Sequence, residues 1–211
     1  VIALYSCYGD NIHPTIPRFQ SEVIRKFLPA GACLVQAKMF TDHGGMIDAF
    51  LQETDFSTYI ILDIDCIPLC KEALDYFIQT ATNRKCLVGC AQRANHISNG
   101  EHLYAGAFAH AFPRTLWVQA GKPSFRPTNR GDVAEELSWK SEEQGIPTSL
   151  LYPTHVIESR WPLQNNQMFG IGTTYGTPQI PNMFFHTFEI RTQKNIEMFQ
   201  QKCIQVIQNR V

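Results

Sequence analysis

Asp63 and Asp65 are the residues of this sequence best placed to do chemistry. They stand either side of Ile64, behind the apolar run Tyr59-Ile60-Ile61-Leu62 and ahead of Ile67-Pro68-Leu69. In extended backbone, residues i and i+2 point the same way, so both carboxylates can reach one point. Two like charges that close raise one another's pKa, and at the end of a buried strand they are costly unless neutralised. A divalent cation resolves the conflict, and carboxylate oxygens suit magnesium or manganese. A solvated pair in a loop is the plainer alternative; the apolar frame on both sides argues against it.

The elements that must position this pair follow from the periodicity. Residues 1–7 read as a buried strand ending in the turn-like Tyr8-Gly9-Asp10-Asn11. Ile16, Phe19, Val23 and Phe27 recur at helical spacing before Pro29 and Gly31 stop the pattern. A strand over 33–39 runs into Thr41-Asp42-His43-Gly44-Gly45, and a short helix carries Ile47, Phe50 and Leu51. The strand 59–62 follows, then a helix through Ala73, Leu74, Phe77, Ile78 and Ala81, then a strand over 86–91. This alternation predicts an α/β fold with a mainly parallel, Rossmann-like sheet flanked by helices. Ligands of such sheets bind beyond the carboxyl ends of the strands. Residues 5–10, 42–45 and 63–65 all lie at such ends, so they are expected to meet.

The second half is less regular. It reads as a strand over 103–112, a short helix over 114–119, and a helix over 131–144 with Asp132 at its start and Gly145 at its end. A short strand over 148–151, a Gly/Pro/Asn/Gln-rich loop over 160–182 and a closing helix through Ile196, Phe199, Cys203 and Val206 complete the chain. Residues 1–211 are expected to form one domain of two halves, 1–100 and 101–211.

Composition sets the outer limits. With 18 basic and 19 acidic residues the net charge is −1, which removes the charge argument for a nucleic-acid partner. No apolar run reaches the roughly 18 residues of a membrane span. Seven cysteines, an odd number scattered through apolar segments, suggest reduced thiols and a cytoplasmic location. Zinc at Cys66/Cys70 and Cys86/Cys90 is disfavoured, because Cys86 and Cys90 fall in a strand rather than in tight knuckles.

Residues 59–69 resemble the DxD segment of GT-A glycosyltransferases, and the similarity runs in order through roughly residues 1 to 190. It implies that Asp63 and Asp65 hold Mn2+ or Mg2+ against the diphosphate of a nucleotide-sugar donor, a UDP-sugar by default, with Ile64 between them. It further implies that 1–100 is the nucleotide-sugar-binding half and 101–211 the acceptor-binding half, and that Tyr5, Ser6, Cys7, Asp42 and His43 line the nucleotide pocket. The Gly131-Asp132-Val133-Ala134-Glu135-Glu136 stretch is similar to the segment carrying the base that deprotonates an acceptor hydroxyl. Asp132 is the first choice and Glu135 and Glu136 the alternates, while a plain helix cap is the competing role for Asp132. Met183-Phe184-Phe185-His186 resembles the family's late His, a metal ligand by that likeness and a buried structural His otherwise. Arg191 and Lys194 are expected near the diphosphate unless they are surface charge. Residues 165–176 resemble a loop that closes over donor. Tyr104, Trp117 and Trp161 are candidates to stack on an acceptor sugar, with at most one expected to do so.

Three rivals carry different chemistry. A nucleotidyltransferase making a nucleotide sugar uses a related sheet but usually opens with a Gly-rich, basic loop after the first strand, which Tyr8-Gly9-Asp10-Asn11 lacks. A magnesium-dependent phosphatase of the haloacid dehalogenase type also ends a strand in Asp-x-Asp, but normally on its first strand. A domain that binds sugar nucleotide or glycan without turnover would keep the metal pair and lack transfer.

Overall fold

The computed structural model describes residues 1–97 and 101–210. Its elements run in the order β1 (Ile2–Tyr8), α1 (Thr15–Phe27), β2 (Ala32–Lys38), α2 (His43–Glu53), β3 (Thr58–Leu62), β4 (Cys66–Pro68) and α3 (Lys71–Arg84). There follow β5 (Leu87–Gln92), β6 (Tyr104–Pro113), α4 (Arg114–Gln119), α5 (Glu135–Glu143), β7 (Thr148–Pro162), β8 (Met168–Gly176), β9 (Phe184–His186) and α6 (Gln193–Ile207). The strands order as β2-β1-β3-β6-β5-β7-β8-β9-β4. The first three pair in parallel, and β6 then enters antiparallel between β3 and β5. The α/β class is as expected. Among the described residues, parallel pairing is confined to β1–β2, β1–β3 and β5–β7, because β6 and the hairpins of the second half run the other way.

Burial on both faces explains the first-half strands. Tyr59 and Ile61 point into one cluster with Met46, Ile47, Phe50 and Leu51 of α2, while Ile60 and Leu62 point into another with Leu74 and Phe77 of α3. Every residue of β3 is buried, which is why its sequence is an unbroken apolar run and not an alternation. Each such side chain contributes about 1.5–3 kcal/mol on burial. A third cluster joins α1 and α6 through Ile16, Val23, Phe199 and Val206, and it includes Ile64 and Ile67. The acidic pair is thereby anchored on both sides by core residues.

Three expectations for the second half need correction. The loop expected over 160–182 is in large part the hairpin β7–β8, and β7 extends the expected four-residue strand to fifteen residues. Residues 168–176, expected in a closing loop, are a strand buried from Phe169 onward. The expected helix at 131 begins at Glu135, because Ala134 takes a left-handed conformation (φ 65°) that breaks the helical path. Among the described residues, no helix is long and apolar enough to cross a membrane.

Candidate functional site

The site begins where β3 ends. The Asp63 N–H donates to Phe108 O (2.9 Å), and the Cys66 N–H donates to Asp63 O (2.9 Å), which turns the chain tightly through the acidic pair. Gln20 of α1 donates to the same turn at Asp63 O (2.6 Å) and Cys66 O (2.9 Å). The turn is therefore held rigidly from below.

His186 reaches it from 121 residues away. β9 pairs antiparallel with β4 so that Cys66 faces His186, and this register sets the imidazole beside Asp65, with Nε2 3.1 Å from Oδ1. Stacking on Phe108 at 4.3 Å fixes the ring. Asp63, Asp65 and His186 offer ligand atoms that all lie within 4.8 Å of one another. Asp63 Oδ1 and His186 Nδ1 are buried and lack a hydrogen-bond partner. Two carboxylates and an imidazole around one point, with a buried oxygen left over, are a donor set that fits a divalent cation such as Mn2+ or Mg2+. The cysteine pairs form no such group; all seven thiols are free.

His43 is the second imidazole here. It opens α2, with Nε2 3.0 Å from Asp63 Oδ1, an ion-pair contact that lacks the alignment of a hydrogen bond. Burial alone would lower the His43 pKa, but the Asp63 charge raises it well above the ordinary value. Burial pushes the Asp63 carboxyl up; His43, then His186 and His110, outweigh it and hold Asp63 below the usual range. Position is set by the cap: Asp42 Oδ1 accepts from the Gly45 N–H (2.9 Å), and Arg126 Nε holds the other oxygen at 3.0 Å. Gly44 permits this packing, since a Cβ there would meet Phe125 O at 2.5 Å.

A cleft of about 500 Å³ opens over the acidic turn. Of the residues expected to contact nucleotide, Cys7, His43, Asp63, Ile64 and Arg191 line it. The others do not. Tyr5 is buried, stacked on Phe50 at 4.1 Å, and its hydroxyl donates to Met46 O. Ser6 is buried as well, and Asp42 is occupied by the helix cap and Arg126. Lys194 pairs with Glu158 (2.9 Å). The cleft also takes in Tyr8 and Gly9, from the strand end at 5–10 expected to meet the acidic pair, and Asn11, Ile12 and Met39, which the sequence does not single out.

A second cavity, about 310 Å³, holds Asp132 together with Gln92, His96, Trp161, Phe169 and Phe188. Asp132 Oδ2 lies 3.7 Å from His96 Nε2. Glu135 is fully buried and engaged, with Oε1 2.6 Å from His102 Nδ1 and Oε2 accepting from the Asp132 N–H (2.8 Å). Glu136 is bound by Arg130 at 2.5 Å. Of the three acidic candidates, Asp132 is the one that lines a cavity. Of the three stacking candidates, Tyr104 and Trp117 are core residues and Trp161 lines that same cavity.

No protein-family profile matches the chain, and no curated protein is similar to it in sequence. Solved structures do share its shape. A Bacillus anthracis protein described as a glucose-1-phosphate thymidylyltransferase, in complex with sucrose, overlaps 96% of this chain and 95% of its own, at 7% identity and TM-score 0.51. A mannosyltransferase from Pyrobaculum calidifontis, in complex with GDP-Man and Mn2+, overlaps 71% of this chain at 12% identity and TM-score 0.48. This chain spans about half of that enzyme, 54% of its length. A Drosophila β-1,4-galactosyltransferase, in complex with manganese, UDP-Gal and xylobiose, overlaps 94% of this chain and 78% of its own at 14% identity and TM-score 0.48. The sheet order, the Asp63-Ile64-Asp65 turn at the end of β3 and the near-complete overlap with the thymidylyltransferase-like structure give this chain a Rossmann-like fold of the GT-A type.

Proposed function

We propose that the chain is a metal-dependent glycosyltransferase, moving a sugar from a nucleotide-diphosphate donor to an acceptor hydroxyl. The observation that carries this reading is the convergence of Asp63, Asp65 and His186, with both aspartates lining the cleft built from strand ends. Asp63, Asp65 and His186 would hold Mn2+ or Mg2+, which supplies charge neutralisation for the departing nucleotide diphosphate. Tyr8, Asn11, Ile12 and Met39 surround the nucleoside, and Arg191 adds positive charge at the rim for the phosphates. A UDP-sugar is the default donor. Asp132, in the adjoining cavity, is the base that accepts the proton of the acceptor hydroxyl. Glu135 and Glu136 support that segment through contacts already made.

The phosphatase reading is less well supported. It needs a late acidic residue on the same metal, whereas the third member of the group is His186.

Thermal unfolding against a panel of nucleotides and nucleotide sugars, with and without manganese, tests the proposal. A ligand selective for the folded state raises the midpoint by mass action. The expected result is a manganese-dependent rise with UDP or GDP that disappears in Asp65→Ala and in His186→Ala, together with sugar transfer by the wild type. Manganese-dependent binding without transfer or donor hydrolysis would indicate a non-catalytic binding domain. Stabilisation by magnesium with a phosphate mimic, and by no nucleotide, would move the assignment to the phosphatase.

A further inference from the structure

The second cavity has a construction that specifies its occupant. One wall is aromatic. Trp161, Phe169 and Phe188 form a triangle with ring centroids 5.4 Å, 5.3 Å and 5.5 Å apart, so each ring holds the other two in place. Phe169 is buried beneath, with Ala91 and Leu163, while Trp161 and Phe188 are only partly covered and present ring surface to the cavity. The facing groups are polar: Gln92, Arg93, Asn95, His96 and Asp132. At about 310 Å³ the cavity is at the small end of ligand pockets, suited to a single ring unit more than to an extended chain.

The cavity also abuts the metal group. The Phe188 ring centroid is 3.9 Å from that of His186, so one phenyl side chain belongs both to the cavity wall and to the packing around the metal-side imidazole. Whatever lies against Phe188 is next to the site of sugar transfer.

We infer that this cavity binds a single pyranose ring as the acceptor, its apolar face on Trp161 and Phe188 and its hydroxyls toward Gln92, His96 and Asp132. A pyranose is amphipathic in the sense this cavity requires: axial C–H bonds on one face and hydroxyls around the edge. A lipid chain would set the Asp132 carboxylate against hydrocarbon, which is costly for a charged group. The inference rests on the glycosyltransferase reading for the word acceptor, but the binding of the ring does not depend on turnover.

The test is titration with methyl pyranosides (the xyloside, glucoside, galactoside and mannoside), alone and with UDP and manganese. Binding is read by saturation-transfer NMR and tryptophan fluorescence. At least one glycoside should bind and alter the emission. Trp161→Leu should weaken it about tenfold by removing the stacking surface. His96→Ala changes a side chain that is 68% exposed and so spares the core; it should weaken binding about threefold. Asp65→Ala should leave glycoside binding in place. Absence of binding by every glycoside in both conditions, or binding that neither Trp161→Leu nor His96→Ala alters, would overturn the inference. Glycoside binding at Trp161 with no nucleotide binding would keep the cavity assignment and overturn the transferase reading instead.

Discussion

Removing the Glu135 carboxylate tests whether that residue is structural support or chemistry. Glu135 has no exposed surface. One oxygen accepts from the Asp132 N–H at 2.8 Å, and the other lies 2.6 Å from Nδ1 of His102. His102 is itself enclosed, stacked on Trp139 at 3.6 Å, with its other ring nitrogen 3.2 Å from Glu142. Glu135→Ala thus removes one member of a buried hydrogen-bonded pair and leaves an amide and an imidazole nitrogen without partners. Breaking such a pair costs about 3–5 kcal/mol. That is a large share of the roughly 5–15 kcal/mol of net stability of a domain, and for this size it lowers the midpoint by roughly 6–20 °C. Glu135→Gln keeps the shape; its oxygen can accept from Asp132 and its amide can donate to His102, so its cost is about 1 kcal/mol. Urea unfolding of wild type, Glu135→Ala, Glu135→Gln, His102→Ala and the Glu135→Ala/His102→Ala double variant measures both the cost and the coupling. If Glu135→Ala lies within about 1 kcal/mol of wild type, the network does not hold the start of α5, and the structural role assigned to Glu135 is wrong.

Two further outcomes are expected. Gly44→Ala places a Cβ 2.5 Å from Phe125 O and 2.7 Å from the Arg126 backbone, neither of which is a flexible side-chain end. Overpacking of this kind costs about 1–3 kcal/mol, and because Gly44 follows His43, nucleotide-induced stabilisation should fall along with the thermal midpoint; an unchanged midpoint would show that the 125–126 segment yields freely. Burial pushes His110 down to about 4, against about 6.5 in an unfolded chain. The unfolded state therefore takes up this proton first: the contribution of neutral His110 is complete above pH 6.5 and is lost as pH falls toward 4, about 3 kcal/mol over that window. Urea midpoints between pH 7 and 4.5 should drop more steeply in wild type than in His110→Asn, and parallel slopes would refute the assignment.

Much of the first half is legible in the sequence because local pattern and burial agree there. The run Tyr59-Ile60-Ile61-Leu62 is apolar since both faces of β3 are covered, and a strand that buried has to place its polar residues at its end, where Asp63 stands. The helices α1, α2, α3 and α6 follow from their spacing. The parallel pairing of β1 with β2 and β3 follows from the helical crossovers between them, so the meeting of the strand ends at 7–9, 43 and 63–65 was a topological consequence.

Two things were decided only in three dimensions. The hairpin β7–β8 reads as a loop because Gly170 and Gly176 sit within it; each lies so close to facing backbone, at Glu158 and Ile180, that a Cβ would collide. Composition records the glycines but not the strand crossing that demands them. The functional use of individual side chains was also invisible: Tyr5 is buried while Cys7, two residues on, lines the cleft, and Glu135 and Asp132 divide into support and cavity wall. His186 joins Asp65 through the register of β4 on β9, set by the packing of Ile67 and Phe185 in one cluster and Phe184 in another. Strand register across 121 residues is fixed by which faces find a core, and that information belongs to the assembled fold and not to any local stretch of sequence.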